Sequence, residues 1–172
     1  VNLSRQHFRD AGFLDTFAGI ASRFSIPDNV LEFELTESIF FDNQQIRTVR
    51  QAIQEMHSMG FLCSLDDFGS GFSSLGLLKE FDVDSLKLDR SFFLNMSGRK
   101  AKDVIACRID LARHLKVKTV AEGIESMDQV DLLRSMGCDM VQGYVFSAPL
   151  PMAEFETRYL YRQGSDTAPA RS

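Results

Sequence analysis

The sequence has little of what marks a secreted, membrane-embedded or nucleic-acid-binding chain. No apolar run approaches the roughly 18 residues of a bilayer-spanning helix, and no basic-then-apolar leader opens it. Cysteine is scarce: Cys63, Cys107 and Cys138 lie far apart, form no Cys-x-x-Cys pair and sit in apolar contexts. That pattern fits buried, reduced core thiols in a cytoplasmic compartment. Positive charge is not in excess. The 19 Lys and Arg against 24 Asp and Glu leave a net charge of −5, which argues against a broad DNA- or RNA-binding surface. It leaves room for a small phosphate ligand held through cations. Histidine is sparse as well. His7 falls in a loop and His57 and His114 in helical patterns, so surface or packing roles suit all three.

The 172 residues suffice for one domain with a real core. A single grammar repeats along them: a short apolar segment ends in polar residues, and an amphipathic helical pattern follows. The strand-like segments are Val1–Ser4, Val30–Thr36, Phe61–Asp66, Val83–Leu88, Lys118–Ala121 and Asp139–Val145. Helical spacing covers Leu14–Phe24, Asn43–Met59, Ser74–Phe81, Lys102–Leu115, Ser126–Met136 and Met152–Tyr161, with Gly60 and Gly137 closing two of them. The tail Gln163–Ser172 is polar and rich in small residues, as disordered tails are. A partial barrel over residues 1–162 followed by that tail is the expected domain plan.

Alternation of strands and helices implies an α/β protein with parallel pairing. Two architectures compete, an open doubly wound sheet and a (β/α)8 TIM-type barrel. The strand ends favour the barrel. Asn2, Glu34, Asp66 with Asp67, Lys87, Glu122 and Gln142 all fall at carboxyl ends, and a barrel gathers such residues at one mouth. Six units against eight in about 250 residues leave the barrel two units short. Because the sequence opens in mid-strand, the expectation is a C-terminal fragment whose first two strands lie upstream.

The stretch Leu65–Leu75 anchors the chemistry. An apolar run ends in Asp66-Asp67, and a loop punctuated by Gly69 and Gly71 follows. Alone, this reads as a strand and a solvated turn. Beside Glu34 and Glu122 it becomes part of a group of carboxylates that repel one another unless protons or cations intervene. Oxygen donors without His or Cys suit Mg²⁺, Mn²⁺ or Ca²⁺ rather than Zn²⁺. Two such ions bridged by Asp66, with Lys87 offsetting developing charge, make a phosphodiester-hydrolysing site. Other readings stay open. Lys87 suits a Schiff-base lysine, although the acids around it, Asp89 included, keep it charged. Glu34 with Glu37, and Glu122 with Glu125, also suit helix starts. Gln142 suits a structural turn. Phe40, Phe41, Phe72 and Phe146 are available to stack on a base.

Glu34-Leu35-Thr36-Glu37-Ser38, Asp66-Asp67-Phe68-Gly69-Ser70-Gly71-Phe72-Ser73-Ser74-Leu75, Lys87-Leu88-Asp89-Arg90-Ser91-Phe92, Val120-Ala121-Glu122-Gly123-Ile124-Glu125 and Gln142-Gly143-Tyr144 follow one another in order. The chain resembles in this the EAL domain family of bacterial cyclic di-GMP phosphodiesterases, from Asn2 to about Pro151. The resemblance implies a barrel with one antiparallel strand, two Mg²⁺ or Mn²⁺ ions, and hydrolysis of cyclic di-GMP to linear pGpG. Asn2, Glu34, Asp66, Asp67 and Glu122 match metal ligands, and Lys87 the lysine that holds the catalytic water. Glu125 and Gln142 match groups that stand behind the metal ligands and line the active site, with Asp89 beside them, and Glu37 the glutamate anchoring the loop Asp67–Ser74. The resemblance further implies a homodimer through residues 67–74 and an upstream sensory or GGDEF-type domain. The domain is expected in the cytoplasm, with any membrane anchor of the parent in upstream segments. The Glu-Ala-Leu segment that names the family belongs upstream of Asn2. With it would come one further glutamate ligand and a substrate-contacting arginine. The alternative to an enzyme is a non-catalytic receptor for cyclic di-GMP, and the 172 residues alone are expected to be inactive.

Overall fold

A computed structural model describes residues 1–10, 12–36, 43–66, 78–93 and 98–161. Among the described residues six strands form one sheet: β1 (Asn2–Leu3), β2 (Glu32–Thr36), β3 (Leu62–Asp66), β4 (Ser85–Leu88), β5 (Lys118–Ala121) and β6 (Met140–Val141). Their order in space is their order in sequence, and every pair is parallel. A doubly wound sheet reverses direction at a switch point; this one does not, which is the barrel arrangement. The sheet is open. The antiparallel strand implied by the resemblance is not among the described strands.

Between the strands lie α1 (Phe13–Arg23), α2 (Asn43–Ser58), α3 (Arg99–Leu115) and α4 (Met127–Met136), with a last turn α5 (Met152–Phe155) running into a π-helical turn, Glu156–Leu160. α4 begins with a capping box between Ser126 and Gln129 and ends at Gly137, whose φ of 83° is readily adopted by glycine. α3 starts three residues earlier than the apolar spacing predicts, because Gly98 precedes a polar first turn that carries no inward residue. β6 is two residues long rather than seven. Gly143 brings the chain against the backbone of Ile124, where a Cβ would lie 2.1 Å from a carbonyl oxygen, so the strand gives way to a turn. The expected helix around Ser74–Phe81 falls mostly outside the described residues, as do Phe40, Phe41, Phe72 and the tail.

The register divides the sheet into two faces. Leu3, Leu35, Leu65 and Leu86 stand side by side across four strands, with Phe33, Cys63, Leu88 and Ala121 on the same face. This outer face carries the main core, against Val49, Ile53 and Met56 of α2 and Ile105, Ile109 and Ala112 of α3. Phe33 is fully buried, edge-on to Phe17 at 4.9 Å and to Phe61 at 5.2 Å. Val104, Leu115, Ile20 and Phe24, apolar residues of these helical patterns, are exposed. Val104, Leu115 and Ile20 lie about 100° from the centre of their apolar stripes, and Phe24 caps α1 beyond its last residue. The thiol expectation holds for Cys63, whose pKa is pushed up chiefly by burial. Cys138 is half-buried, and Cys107 is exposed: two residues past Ile105, it points away from the core.

Acidic side chains secure the amino-terminal end of the sheet. Asp84 Oδ2 accepts from the Cys63 amide at 2.8 Å and lies 2.9 Å from His57 Nε2. Asp139 Oδ2 accepts from the amide (2.8 Å) and the hydroxyl (2.9 Å) of buried Thr119. Each aspartate precedes one strand and satisfies the first amides of its neighbour. The histidines are thus packing and surface groups: His57 in this strap, His114 on α3 and His7 in the first 3-10 turn.

Candidate functional site

The inner face is built from the alternate residues. Asn2 stands opposite Glu34, Glu34 opposite Ser64, and Ser64 opposite Ser85. Strand alternation then puts Asn2, Glu34, Asp66 and Lys87 on one face, with Glu122 and Gln142 continuing it past β5 and β6. Parallel strands leave all these residues at the same end. Glu34, Asp66 and Glu122 meet at Lys87, Glu122 and Gln142 line one cavity, and Asn2 stands beside Glu34 on the same face.

Lys87 is the centre of the cluster and is 7% exposed. Its Nζ lies 2.7 Å from Glu34 Oε1, 2.7 Å from Glu122 Oε1 and 3.9 Å from Asp66 Oδ1. Burial by itself would lower the pKa of this ammonium. The hydrogen bonds to Glu122 and Glu34 and the nearby carboxylate charges outweigh that, and the pKa is raised above its ordinary value. Two carboxylates at 2.7 Å favour the charged ammonium, whereas a Schiff-base lysine needs the neutral amine. Glu122 is pushed up by burial, with Lys87 partly offsetting the effect. Asp89 has a structural role. Its carboxylate caps the 3-10 turn Arg90–Phe92 by accepting from the Ser91 amide at 2.9 Å, and those hydrogen bonds lower its pKa.

Next to the cluster lies a cavity of about 350 Å³ lined by Asp89, Arg90, Glu122, Gly123, Glu125, Gln142, Gly143 and Tyr144. Glu125 is paired with Arg90 at 2.6 Å. Arg90 was not among the expected site residues. Its signal was present in the sequence, a basic residue immediately after the strand end Lys87-Leu88-Asp89, but pairing with a residue 35 positions away is not legible there. Gln142 is held by its backbone, donating to Ala121 O at 2.8 Å and accepting from Ile124 N at 3.1 Å, which leaves its side chain available at the cavity. Glu37, Asp67 and the loop to Ser74 lie outside the described residues.

The donors present suit a hard divalent cation. Glu34, Asp66 and Glu122 offer carboxylate oxygens and Asn2 an amide oxygen, with no His or Cys among them. Three carboxylates against one ammonium leave two negative charges in excess, which is the imbalance such a cation offsets. Among the described residues no three His, Cys, Asp or Glu side chains are already drawn together as a metal cage. Lys87 holds Glu34 and Glu122 instead.

Sheet order and strand-end chemistry together define a TIM-barrel-like α/β domain with an acidic, lysine-centred site at its carboxyl ends. The EAL domain model matches residues 1–149, and the chain belongs to that family. It is 37% identical over 153 residues to the cyclic di-GMP phosphodiesterase NbdA of Pseudomonas aeruginosa, covering 88% of this chain and 18% of that protein. With the cyclic di-GMP phosphodiesterase PdeB of Shewanella oneidensis it shares 34% over 168 residues, 94% of this chain and 19% of that one. The chain thus spans about a fifth of the length of the curated relatives it matches. Among solved structures, the EAL domain of Mycobacterium smegmatis DcpA superposes with a TM-score of 0.84 at 34% identity, over 91% of this chain and 70% of that one. The PaMucR phosphodiesterase in complex with c-di-GMP gives 0.78 at 32%, over 90% and 62%.

Proposed function

We propose that the domain to which this chain belongs is a divalent-metal-dependent phosphodiesterase that hydrolyses cyclic di-GMP to linear pGpG. The observation that carries the proposal is Lys87, buried among Glu34, Asp66 and Glu122 at the carboxyl ends of four adjacent parallel strands. Kinship with relatives named cyclic di-GMP phosphodiesterases supports it.

In this reading Asn2, Glu34, Asp66 and Glu122, with Asp67, hold Mg²⁺ or Mn²⁺. Held there, such a cation would supply positive charge for the phosphate and lower the pKa of a water toward neutral pH. The ammonium of Lys87 stays charged, donates to the attacking water and offsets negative charge as it grows on the phosphate. Gln142 and the Arg90–Glu125 pair line the cavity beside it and orient the nucleotide, while Asp89 fixes the turn that carries Arg90. Glu37 anchors the loop 67–74, which forms a homodimer contact. An upstream sensory or GGDEF-type domain supplies the input, and the site works in the cytoplasm. No helix among the described residues is long and apolar enough to cross a membrane. The barrel domain occupies residues 1–162 of this chain.

The test is incubation of the full-length protein with cyclic di-GMP and Mn²⁺, followed by chromatography for pGpG. Asp66→Ala and Lys87→Ala are each expected to abolish product. Tight binding of cyclic di-GMP by the full-length protein with no cleavage under any divalent cation would replace the enzyme with a receptor. The 172 residues assayed alone are expected to turn over far more slowly, because the sheet that builds the site is open.

A further inference from the structure

Three turns at the carboxyl ends of the strands interlock beside the cluster. The turn after β5, Glu122–Ser126, lies between the turn after β4, Asp89–Phe93, and the turn after β6. Gly123, at φ 67°, lies directly under Arg90; a Cβ there would come 2.7 Å from Arg90 Cβ. On its other side Ile124 donates to Gln142 O at 3.1 Å and accepts from Val145 N at 3.0 Å. The β5 and β6 turns are therefore fastened by backbone. The β4 turn has a different fastening. Arg90 reaches Glu125 through two half-exposed side chains, a contact of modest worth. Phe92 is covered by the Arg108 guanidinium of α3, 3.9 Å from the ring centre.

The backbone joins β4 and β5 last at Glu122 N, which donates to Leu88 O at 3.1 Å; beyond it one amide side chain links the two turns. Gln129 Oε1 accepts from the amides of Glu125 (3.0 Å) and Ser126 (3.1 Å), and its Nε2 donates to Phe93 O at 3.3 Å. The two ends of one side chain thus hold two turns at once. One carries Glu122 and Glu125, the other Asp89 and Arg90. The accepting half is ordinary helix capping, since Ser126 Oγ in return accepts from the Gln129 amide at 3.3 Å. Capping needs only an acceptor, which glutamate supplies equally well. The donating half serves no cap.

We infer that Gln129 is a positioning residue, whose Nε2–Phe93 bond sets the Asp89–Phe93 turn against the Glu122–Ser126 turn and so fixes the width of the cavity between Arg90, Glu125 and Gln142. The consequence for turnover rests on the phosphodiesterase reading; the bridge itself does not.

Gln129→Glu separates the two halves. It keeps the acceptor for Glu125 and Ser126 and loses the donor to Phe93. Gln129→Met loses both and adds no charge. Amide hydrogen exchange on the full-length protein reads the bridge without reference to activity. In Gln129→Glu the Phe92 and Phe93 amides, which bond to Asp89 O and Arg90 O, should exchange about five-fold faster, the effect of one ordinary hydrogen bond. The Glu125 and Ser126 amides should keep their protection and Tm should not fall. In Gln129→Met all four amides should exchange faster. Turnover of cyclic di-GMP should fall roughly ten-fold in both variants, from the altered spacing. Wild-type exchange at Phe92 and Phe93 in Gln129→Glu would overturn the bridge and leave Gln129 a cap. Faster exchange with undiminished turnover would overturn the positioning role. Absence of turnover in the wild type would instead overturn the phosphodiesterase reading, with the exchange result standing on its own.

Discussion

The two faces of the sheet obey opposite rules. On the outer face Leu3, Leu35, Leu65 and Leu86 make a dry row against helices, and hardly any surface is left exposed. On the inner face the corresponding row one residue earlier reads Asn2, Glu34, Ser64 and Ser85. One residue of strand thus separates a core from a charged site. The outer face gains stability from apolar area removed from water. The cluster on the inner face takes three carboxylates out of full solvation and compensates them with one ammonium, an arrangement that contributes little to stability even when intact. In the proposed function its value is chemical. The first face holds the fold and the second uses it.

If that division is right, damage to the outer face should appear in stability alone. Phe33→Ala empties a site that is fully buried beside Phe17 and Phe61. A loss of about 4 kcal/mol is expected by chemical denaturation, with turnover per folded molecule unchanged. A specific loss of turnover at full stability would break the comparison.

Lys87→Met tests the inner face. It leaves Glu34, Asp66 and Glu122 without their ammonium, and a destabilisation of about 3 kcal/mol is expected in metal-free buffer at neutral pH, together with loss of turnover. The pH dependence has a definite sign. The raised pKa of Lys87 gives stability that is fully present below its ordinary value of 10.5 and fades only as pH rises through the higher folded value. Glu122 has the opposite effect: its folded pKa is raised, so its burial costs stability at neutral pH and that cost disappears as acid protonates it. The deficit of the variant should therefore be constant from about pH 7 to 9 and shrink below about pH 5. A deficit that grew on acidification would contradict the assignment of the charges.

Much of this division is legible in the sequence, because a parallel strand states both faces at once through its alternation. Glu34, Asp66 and Lys87 between Leu35, Leu65, Leu86 and Leu88 already place carboxylates and apolar residues on opposite sides. The ordered family motifs give the barrel. What is not legible depends on geometry across the chain. Lys87 sits midway between Glu34 and Glu122, partners 53 and 35 positions away, while the acid nearest in sequence, Asp89, turns out to be a cap. Cys107, Val104 and Leu115 look inward by composition and are outward by helical angle. β6 stops early because Gly143 meets the backbone of Ile124, a contact between two turns that no local pattern announces.

A third test moves along the sheet instead of across it. Asp139→Ala removes both acceptor bonds to buried Thr119 at the amino-terminal end. The Thr119 hydroxyl still accepts from the amide of residue 139 at 3.1 Å, but leaving the Thr119 amide and hydroxyl proton without an acceptor should cost about 2 kcal/mol. In a barrel this end serves stability and the other end chemistry, so the pH profile and kcat of the folded protein should stay as in the wild type. A changed pH profile would show that the two ends are less independent than the fold implies.

The smallest effect falls where the two rules meet. Ser64 lies on the inner face between Glu34 and Ser85, yet it is as buried as any residue of the core. Its hydroxyl finds no hydrogen-bond partner among the described residues. Ser85, its neighbour, donates to Glu32 Oε1 at 2.8 Å, so the same side chain one strand over is satisfied. A buried hydroxyl without a partner costs free energy that an alanine methyl does not. Ser64→Ala should therefore be neutral or stabilising by up to about 1 kcal/mol, whereas Ser85→Ala should cost about that much. The difference between them, measured by denaturation of the two variants side by side, isolates one hydrogen bond on one face. Should Ser64→Ala destabilise as much as Ser85→Ala, then Ser64 has a polar partner and the inner face is satisfied through its whole depth. If the signs differ, the inner face carries one unsatisfied hydroxyl at Ser64, in a row whose neighbour Ser85 is satisfied by Glu32.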